Sequence, residues 1–413
     1  MKLIQVLKHT PLLLVLVLVS ACVNSDKLNQ YYKKDYTVDI RSENKPDTIG
    51  HGIAVSKIGT DVRNTDIETI ATIKNIVGKK NQYHTKSGAI DVNNNTAFIM
   101  DSNGVIVAYD TLYNKQLWKN KVELENDDVF RGQVKVVGNN LIAIGNNGSL
   151  FALNVKTGEK VWKNKIDYNI NSTPSVYSNN IIFQLSGSKS IAIDSLTGEM
   201  AWGHQTIDNE VSYVEVAPVK VHKGISYVMY SKGELFAINS LTGEEYWGKA
   251  LKINLDIGNE LDNTYFIAKP IIKNDNIYLL SSNNGLYVLN RNNGRSKWNK
   301  NISGVVNMAT SGDILYILDS ENKVWAIDVI TGKRYWSVQL KTMESDNKIG
   351  WNSLILHRGR LILFSELGKI QLLSIDNGET IAVHKGARTS SYPIQEKGLV
   401  YILLDNGNLK VYR

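Results

Sequence analysis

The chain has 413 residues, 43% of them hydrophobic and 21% charged, so it is long and apolar enough to bury a large core. Its 47 basic and 40 acidic residues leave a net charge of +7, but the basic residues are scattered and form no nucleic-acid-binding tract. Cys22 is the only cysteine, which excludes an intramolecular disulfide, a cysteine zinc cluster and a haem-attachment motif.

The N-terminal residues have the pattern of a secretion signal. Lys2 and Lys8 precede an unbroken apolar run at residues 12–19, which is too short to span a bilayer. The run ends in Val19-Ser20-Ala21-Cys22, and small residues before a cysteine resemble the bacterial lipobox. We therefore expect residues 1–21 to be a signal peptide and Cys22 to be the lipidated first residue. The alternative is an ordinary signal peptide beside an incidental cysteine.

The residues after Cys22 predict where the anchor is kept. Lipoproteins of this kind are usually retained at the inner membrane by an Asp directly after the cysteine, whereas Val23 and Asn24 stand here. The resemblance therefore implies the periplasmic face of the outer membrane, with the lipid as the only membrane attachment. Residues 22–64 are polar and lack alternation, which predicts a flexible tether. Residues 65–413 are predicted to form the folded domain.

A hairpin-like pattern recurs through that domain, and its clearest copy is GSLFALNVKTGEKVW at residues 148–162. Two alternating segments flank a turn whose glycine can adopt positive φ. The last residue of the first segment recurs at Asp110, Asn154, Asp194, Asn239, Asn290, Asp328, Ser374 and Arg413. In six copies a Trp follows this anchor residue by eight positions, and in six a Gly follows it by four. The first copy has Asn114 instead of the Gly, and Asn is also tolerant of positive φ.

A strand-rich period of this length predicts a β-propeller with four strands per blade. The eight anchors predict an all-β, eight-bladed propeller. Pro174, Pro218, Pro270 and Pro393 keep the same register, and we expect each at the start or edge of a strand because proline lacks an amide donor. The recurring Trp is predicted to pack between blades, since a blade buries its faces only against its neighbours.

The two ends of the chain are predicted to meet in one blade. The eighth copy stops at Arg413, before its turn and final strand. A ring with one strand missing would expose an edge. Residues 67–77 are rich in Ile and Thr and predict a strand. We therefore expect this segment to supply the missing strand and close the ring.

The sequence predicts no catalytic residues, no cofactor and no metal site. His51, His84, His204, His222, His357 and His384 are dispersed, without metal-ligand spacing. Nucleophile-elbow, Walker and dinucleotide glycine motifs are missing from the sequence. Runs such as Asp101-Ser102-Asn103-Gly104 lack the alternating acidic ligands and closing Glu of a calcium loop, and we interpret them as turns.

The motif L-x-A-L-[DN]-x-x-T-G-x-x-x-W, at residues 150–162 and 235–247, resembles the repeat of pyrroloquinoline-quinone propellers. Eight such repeats behind a lipobox resemble the BamB family of outer-membrane protein assembly lipoproteins. The resemblance implies a non-enzymatic scaffold that docks on the periplasmic domains of BamA and assists the insertion of outer-membrane proteins. It also implies other lipoproteins of the assembly machinery as partners, and unfolded outer-membrane proteins as further candidates.

The family contacts BamA through two loops, one centred on a Leu-Arg pair and one on an Asp-x-Asp, each before a strand-opening proline. Before Pro174 this chain keeps an apolar Ile170 but lacks the Arg. Before Pro218 it has Tyr213 and Glu215, of which Glu215 replaces one acid. The resemblance thus implies Ile170 and Tyr213 as anchors and Glu215 as the partner of a basic group. The alternative is that Ile170 and Tyr213 pack beneath their own loops.

Two other functions remain open at this stage. One is an envelope lipoprotein propeller that binds another partner, because a fold does not determine a function. The other is a quinone-dependent dehydrogenase, whose relatives keep an Asp base, calcium ligands and often a vicinal cysteine pair on a far longer chain. The lone Cys22 and the short blades argue against this enzyme.

Overall fold

The structure is a computed structural model. It describes residues 67–74, 76, 89–123, 132–145, 147–170, 172–185, 188–206, 217–230, 233–251, 266, 268–281, 285–302, 304–341, 343–344, 347–389 and 391–413. The predicted signal peptide, Cys22 and the predicted tether lie outside these ranges, as do Tyr213 and Glu215.

The strands occur in groups of four along the chain, after a first strand β1 (Thr69–Ile73). Blade 1 contains β2 (Ile90–Asn93), β3 (Thr96–Met100), β4 (Val105–Asp110) and β5 (Lys115–Lys121). Blade 2 contains β6 (Gly132–Val137), β7 (Asn140–Gly145), β8 (Ser149–Asn154) and β9 (Lys160–Lys165). Blade 3 contains β10 (Ser175–Tyr177), β11 (Asn180–Leu185), β12 (Lys189–Asp194) and β13 (Met200–Gln205). Blade 4 contains β14 (Lys220–His222), β15 (Ile225–Tyr230), β16 (Glu234–Asn239) and β17 (Glu245–Ala250).

The second half of the ring follows the same plan. Blade 5 contains β18 (Ile271–Lys273), β19 (Asn276–Ser281), β20 (Gly285–Asn290) and β21 (Ser296–Asn301). Blade 6 contains β22 (Val305–Ser311), β23 (Ile314–Asp319), β24 (Lys323–Asp328) and β25 (Arg334–Gln339), and a small hairpin of β26 (Met343–Glu344) and β27 (Asn347–Lys348) follows it. Blade 7 contains β28 (Trp351–His357), β29 (Arg360–Ser365), β30 (Lys369–Ser374) and β31 (Thr380–Lys385). Blade 8 contains β32 (Ile394–Glu396), β33 (Leu399–Leu403), β34 (Leu409–Tyr412) and β1.

Every blade is a four-stranded antiparallel sheet, which confirms the predicted eight-bladed propeller. The anchor residues lie at the end of the third strand, and each predicted hairpin consists of strands three and four. The anchor side chain organises the turn that follows: Asp194 Oδ1 accepts hydrogen bonds from the amides of Leu196 at 2.7 Å and Thr197 at 3.2 Å. This local hydrogen bonding explains why Asp or Asn recurs at the anchor.

The core is divided among the joints between blades. Eight clusters of buried apolar side chains occur, and each combines residues of two neighbouring blades. First strands of neighbouring blades, such as β2 and β6 or β22 and β28, contact each other, so first strands line the central channel. Fourth strands form the exposed outer edge, where lysines such as Lys160 and Lys165 oppose edge-to-edge pairing.

The ring is closed by the N-terminal strand, as the sequence predicts. β1 pairs antiparallel with β34, and Ala71 lies opposite Val411. The amide of Arg413 donates to Glu68 O at 2.9 Å, and the amide of Ile76 donates to Gly407 O at 3.2 Å. The fourth strand of blade 8 therefore comes from the opposite end of the chain.

The recurring Trp and Gly together form one contact between neighbouring blades. Gly243 of blade 4 has φ of +75°, and a Cβ there would lie 2.7 Å from Cβ of Trp202 in blade 3. The indole Nε1 of Trp202 also donates to Ser240 O of blade 4 at 3.1 Å. The same pairing joins Trp118 to Gly158, Trp162 to Gly198, Trp247 to Gly294, Trp298 to Gly332, and Trp336 to Gly378. The glycine is thus required by the turn and by the indole, which confirms the predicted packing role of the Trp.

Trp298 departs from this hydrogen-bonding pattern. In the other five pairs the indole Nε1 donates to the carbonyl one residue after the next blade's anchor. For Trp298 that acceptor is Val329 O, which instead receives the hydroxyl of Tyr278 at 2.8 Å. The buried Nε1 of Trp298 has no hydrogen-bond partner within the described part of the chain.

Candidate docking surface

The strand directions separate the two ends of the ring. The turns from strand one to two and from strand three to four lie at one end, which we call the turn end. The turns from strand two to three and the connections between blades lie at the other, which we call the loop end. The two predicted docking loops precede Pro174 and Pro218 and are therefore connections of the loop end, entering blades 3 and 4.

The connection into blade 3 is held closely against blade 2. The amide of Ile166 donates to Gly148 O at 3.0 Å. Gly148 has φ of +86°, and a Cβ at this position would overlap the carbonyl oxygen of Ile166 and lie 2.8 Å from that of Tyr168. Gly148 therefore permits the close approach that places the loop.

The exposed tip of this connection is Tyr168, between Asp167 and Asn169, which are exposed as well. Tyr168 is 43% exposed. Nζ of Lys189, at the start of β12 in blade 3, donates to its hydroxyl at 2.9 Å and lies 4.1 Å from its ring centroid. A cation and an aromatic ring thus form one exposed group that links two blades. Sequence reasoning quoted Tyr168 but did not select it, and it missed Lys189 because 21 positions separate the pair.

Ile170 lies beneath this tip. Its side chain is 3% exposed and packs in the cluster between blades 2 and 3, and its backbone forms an isolated bridge with Leu185. Phe266 and Thr389 form equivalent bridges, and each also stands four residues before a proline. The burial of Ile170 is therefore a property of the repeat, and this spacing is the signal that could have identified it.

The connection into blade 4 is described only at its two ends. Thr206 and Ala217, which border it, are both buried. Tyr213 stands five residues before its proline, as the exposed Asn169 does in the preceding connection. Tyr213 and Glu215 lie outside the described residues, so their roles stay predictions.

The turn end carries a different exposed set. Leu112, Leu196, Leu241 and Ile330 each stand two residues after an anchor, and they are 51–66% exposed. They lie opposite the predicted docking loops, which makes them suitable controls for experiments on the loop end.

Within the described ranges, no group of three or more His, Cys, Asp or Glu side chains is placed to hold a metal ion. In the same part of the chain, no helix has the length and apolar character needed to cross a membrane. The expectation that the protein lacks a cofactor and catalytic residues stays a prediction.

Eight four-stranded blades, an N-terminal closing strand and the Trp–Gly joints define a propeller of the pyrroloquinoline-quinone-like repeat class. The family model described as outer membrane protein assembly factor BamB matches residues 102–338, which is more than half of the chain. The protein therefore belongs to the BamB family.

Individual relatives are similar over shorter stretches. The assembly factor BamB of Alkalilimnicola ehrlichii is 24% identical over 121 residues, covering 29% of this chain and 30% of that protein. BamB of Legionella pneumophila is 28% identical over 145 residues, covering 34% and 36%. The alignments thus span about a third of the length of these curated relatives.

Solved structures agree with this fold. The crystal structure of BamB from Moraxella catarrhalis has a TM-score of 0.70 at 15% identity, covering 84% of this chain and 100% of that chain. A quinohemoprotein alcohol dehydrogenase from Comamonas testosteroni has a TM-score of 0.62 at 13% identity, covering 84% and 76%. At these identities the two likenesses show a shared fold and nothing about a shared activity.

Proposed function

We propose that the protein is a non-enzymatic scaffold lipoprotein of the outer-membrane β-barrel assembly machinery, docking on the periplasmic domains of BamA. The observation that carries the proposal is the family match over residues 102–338, whose relatives are named as outer membrane protein assembly factors. The geometry adds an exposed, closely held loop at the first position where docking is expected.

Tyr168 and Lys189 supply the direct contact at that loop in this proposal. A tyrosine on a supported loop buries a large amphipathic surface at low entropic cost, and tyrosine is enriched among interface hot spots. The family motif has an Arg beside its apolar anchor, which residues 168–171 lack. The ammonium group of Lys189 brings a cation to the same loop from the neighbouring blade. Ile170 then supports the loop from below, while Tyr213 and Glu215 extend the surface onto the next connection.

Capture of the purified periplasmic domains of BamA tests this docking surface. We expect Tyr168→Ala and Lys189→Glu to weaken capture at least tenfold at an unchanged melting temperature, because both groups are on the surface. Tyr213→Ala and Glu215→Lys should weaken capture as well. The matched control is Leu241→Ser, an exposed apolar residue at the turn end, and it should leave capture unchanged.

Ile170 requires a separate comparison because its side chain is buried. Ile170→Asp places a charge in the cluster between blades 2 and 3, so it should lower the melting temperature and capture together. Ile170→Val keeps the packing and should retain both. Parental capture by all four surface variants would reject this docking surface, and if the parent itself failed to capture BamA, another envelope partner would take its place.

Cys22 carries the membrane attachment in this proposal. A lipid chain holds through buried methylene groups at ~0.8 kcal/mol each, which places the propeller at the periplasmic face of the outer membrane through the tether at residues 22–64. Fractionation of the envelope after Cys22→Ser tests it. We expect the variant to be released in soluble form, and a variant that stays acylated and membrane-bound would contradict the anchor.

A further inference from the structure

The first strands carry different side chains around the channel at one equivalent position. Strand register defines this position, since each residue pairs with the second-strand residue that in turn faces the position two before the anchor. It holds Asp91, Lys135, Ser175 and Lys220 in blades 1–4, and Ile271, Ala309, Ile355 and Ile394 in blades 5–8. Polar and charged side chains are therefore concentrated on one half of the channel wall.

Most of these polar groups are already bound. Asp91 accepts a hydrogen bond from the amide of Val136 at 2.8 Å and an ion pair from Lys135 Nζ at 2.8 Å. Ser175 donates to the carbonyl oxygen of Val219 on the neighbouring first strand. These contacts tie the inner edges of neighbouring blades and use the polar groups of blades 1–3 within the protein.

Lys220 and Lys269 differ from that pattern. Lys220 begins β14 in blade 4, and Lys269 precedes β18 in blade 5, two positions before Ile271. Neither forms an ion pair with an acid in the part of the chain that the structure describes. Further toward the turn end, β14 and β18 carry His222 and Lys273, and Lys273 has Asp313 at 3.7 Å.

The surroundings of Lys220 and Lys269 disfavour their charged forms. Enclosure by protein lowers the pKa of Lys269 to about 8, and the charges of Lys220 and Lys135 lower it further in the same direction. Burial also lowers the pKa of Lys220. Lys269 is nevertheless open to the water of the channel. Unpaired cations that repel each other inside an accessible channel are stabilised by an anion from solution.

We propose that Lys135, Lys220 and Lys269 form a channel site for a small oxyanion with two or more negative charges, of the phosphate or carboxylate class. Lysine ammonium groups bind such oxyanions as point charges, without the paired geometry that arginine demands. The apolar positions of blades 5–8 offer no competing charge on the opposite wall. This site lies apart from the docking loops, so it does not depend on the proposed function.

Titration with pyrophosphate and with citrate, at constant ionic strength, tests the site and separates the two oxyanion classes. We expect at least one of them to raise the melting temperature and to bind measurably by calorimetry. Lys220→Met with Lys269→Met should weaken binding at least tenfold. The control is Lys119→Met, an exposed lysine on the outer strand of blade 1, which should bind as the parent does.

Proton uptake distinguishes this site from non-specific attraction. A bound anion favours charged Lys269, so binding near pH 8 should take up protons, and affinity should fall as the pH rises from 7 to 9. Without an anion, Lys269→Met should stabilise the protein at pH 7. The folded pKa lies below the ordinary 10.5, so the penalty is complete below about 8 and disappears above 10.5.

Two results would overturn the proposal. One is a parent protein whose melting temperature and binding heat respond to neither anion. The other is binding that survives in the double lysine variant, which would place the anion elsewhere. Stabilisation by Lys269→Met without anion binding would count with the first result, because it would leave the lysines as a source of repulsion alone.

Discussion

Six joints of the ring differ from the two that flank blade 8. From blade 1 to blade 7, an indole of each blade lies against a positive-φ glycine of the next. At the joint from blade 7 to blade 8 the Trp position holds Ala382, and blade 8 has no corresponding turn because its third strand ends the chain. At the joint from blade 8 to blade 1 that position holds Ala71, and the glycine position holds Asn114.

The comparison shows that the Trp and the Gly are retained or lost together. Asn114 keeps the left-handed turn, with φ of 53°, but no indole arrives from the preceding blade, so a side chain is tolerated. Closure at blade 8 depends on hydrogen bonds between β1 and β34 and on Ile73 and Ile76 in the adjoining cluster. Most of β1 is exposed. We therefore expect the ring to open first at blade 8.

Removal of the closing strand should have the largest effect. Deletion of residues 67–77 exposes the edge of β34 and removes Ile73 and Ile76 from the core, for a loss of roughly 5 kcal/mol or a failure to fold. Urea unfolding and solubility measure it. The matched control deletes residues 23–64 and leaves β1 in place, so it should unfold as the parent does. Equal stability of both deletions would disprove closure by this strand.

A methyl group at a locked joint should have the next largest effect. Gly243→Ala combines a left-handed backbone with overlap against Trp202, so we expect a loss of about 2–4 kcal/mol in urea unfolding. Gly312→Ala is the control, since Gly312 has φ of +50° and nothing within 4 Å of an added Cβ. It should lose only about 1 kcal/mol. Similar losses in the two variants would show that backbone strain, and not the indole, requires the glycine.

The two indoles of neighbouring joints refine the comparison. Trp247 and Trp298 both pack beside a buried Tyr, but only Trp247 donates a hydrogen bond, to Arg291 O at 3.1 Å. Trp247→Phe should therefore destabilise the protein by about 1 kcal/mol more than Trp298→Phe. Thermal unfolding of the two variants gives this difference directly. A larger loss for Trp298→Phe would mean that its indole is hydrogen-bonded in solution.

The smallest effect should come from the joint that lacks an indole. Asn114→Gly keeps the left-handed turn and meets no Trp, so stability should change by no more than about 0.5 kcal/mol. The reciprocal change, Gly158→Asn, places a side chain against Trp118 and should destabilise the protein far more. If the two substitutions had similar effects in urea unfolding, the distinction between the two kinds of joint would fail.

Much of the candidate surface could not be predicted from the sequence. The resemblance selected Ile170, but the repeat turns that residue into the cluster between blades 2 and 3 and exposes Tyr168 instead. Lys189 reaches Tyr168 from another blade, and no spacing in the sequence marks this pair. Contacts between blades depend on how two sheets pack, and a pattern within one repeat contains no such information.

The sequence by itself determined the repeat, the number of blades, the left-handed turns and the segment that closes the ring. These features follow from strand alternation and from turns such as that of Asp194, whose carboxylate binds amides two and three residues later. Tertiary structure alone decided that the Trp and Gly of different blades form one contact, and that Lys135, Lys220 and Lys269 share one channel. The reason is distance along the chain: local hydrogen bonds form between sequence neighbours, whereas charges from separate blades interact only after the ring brings them together.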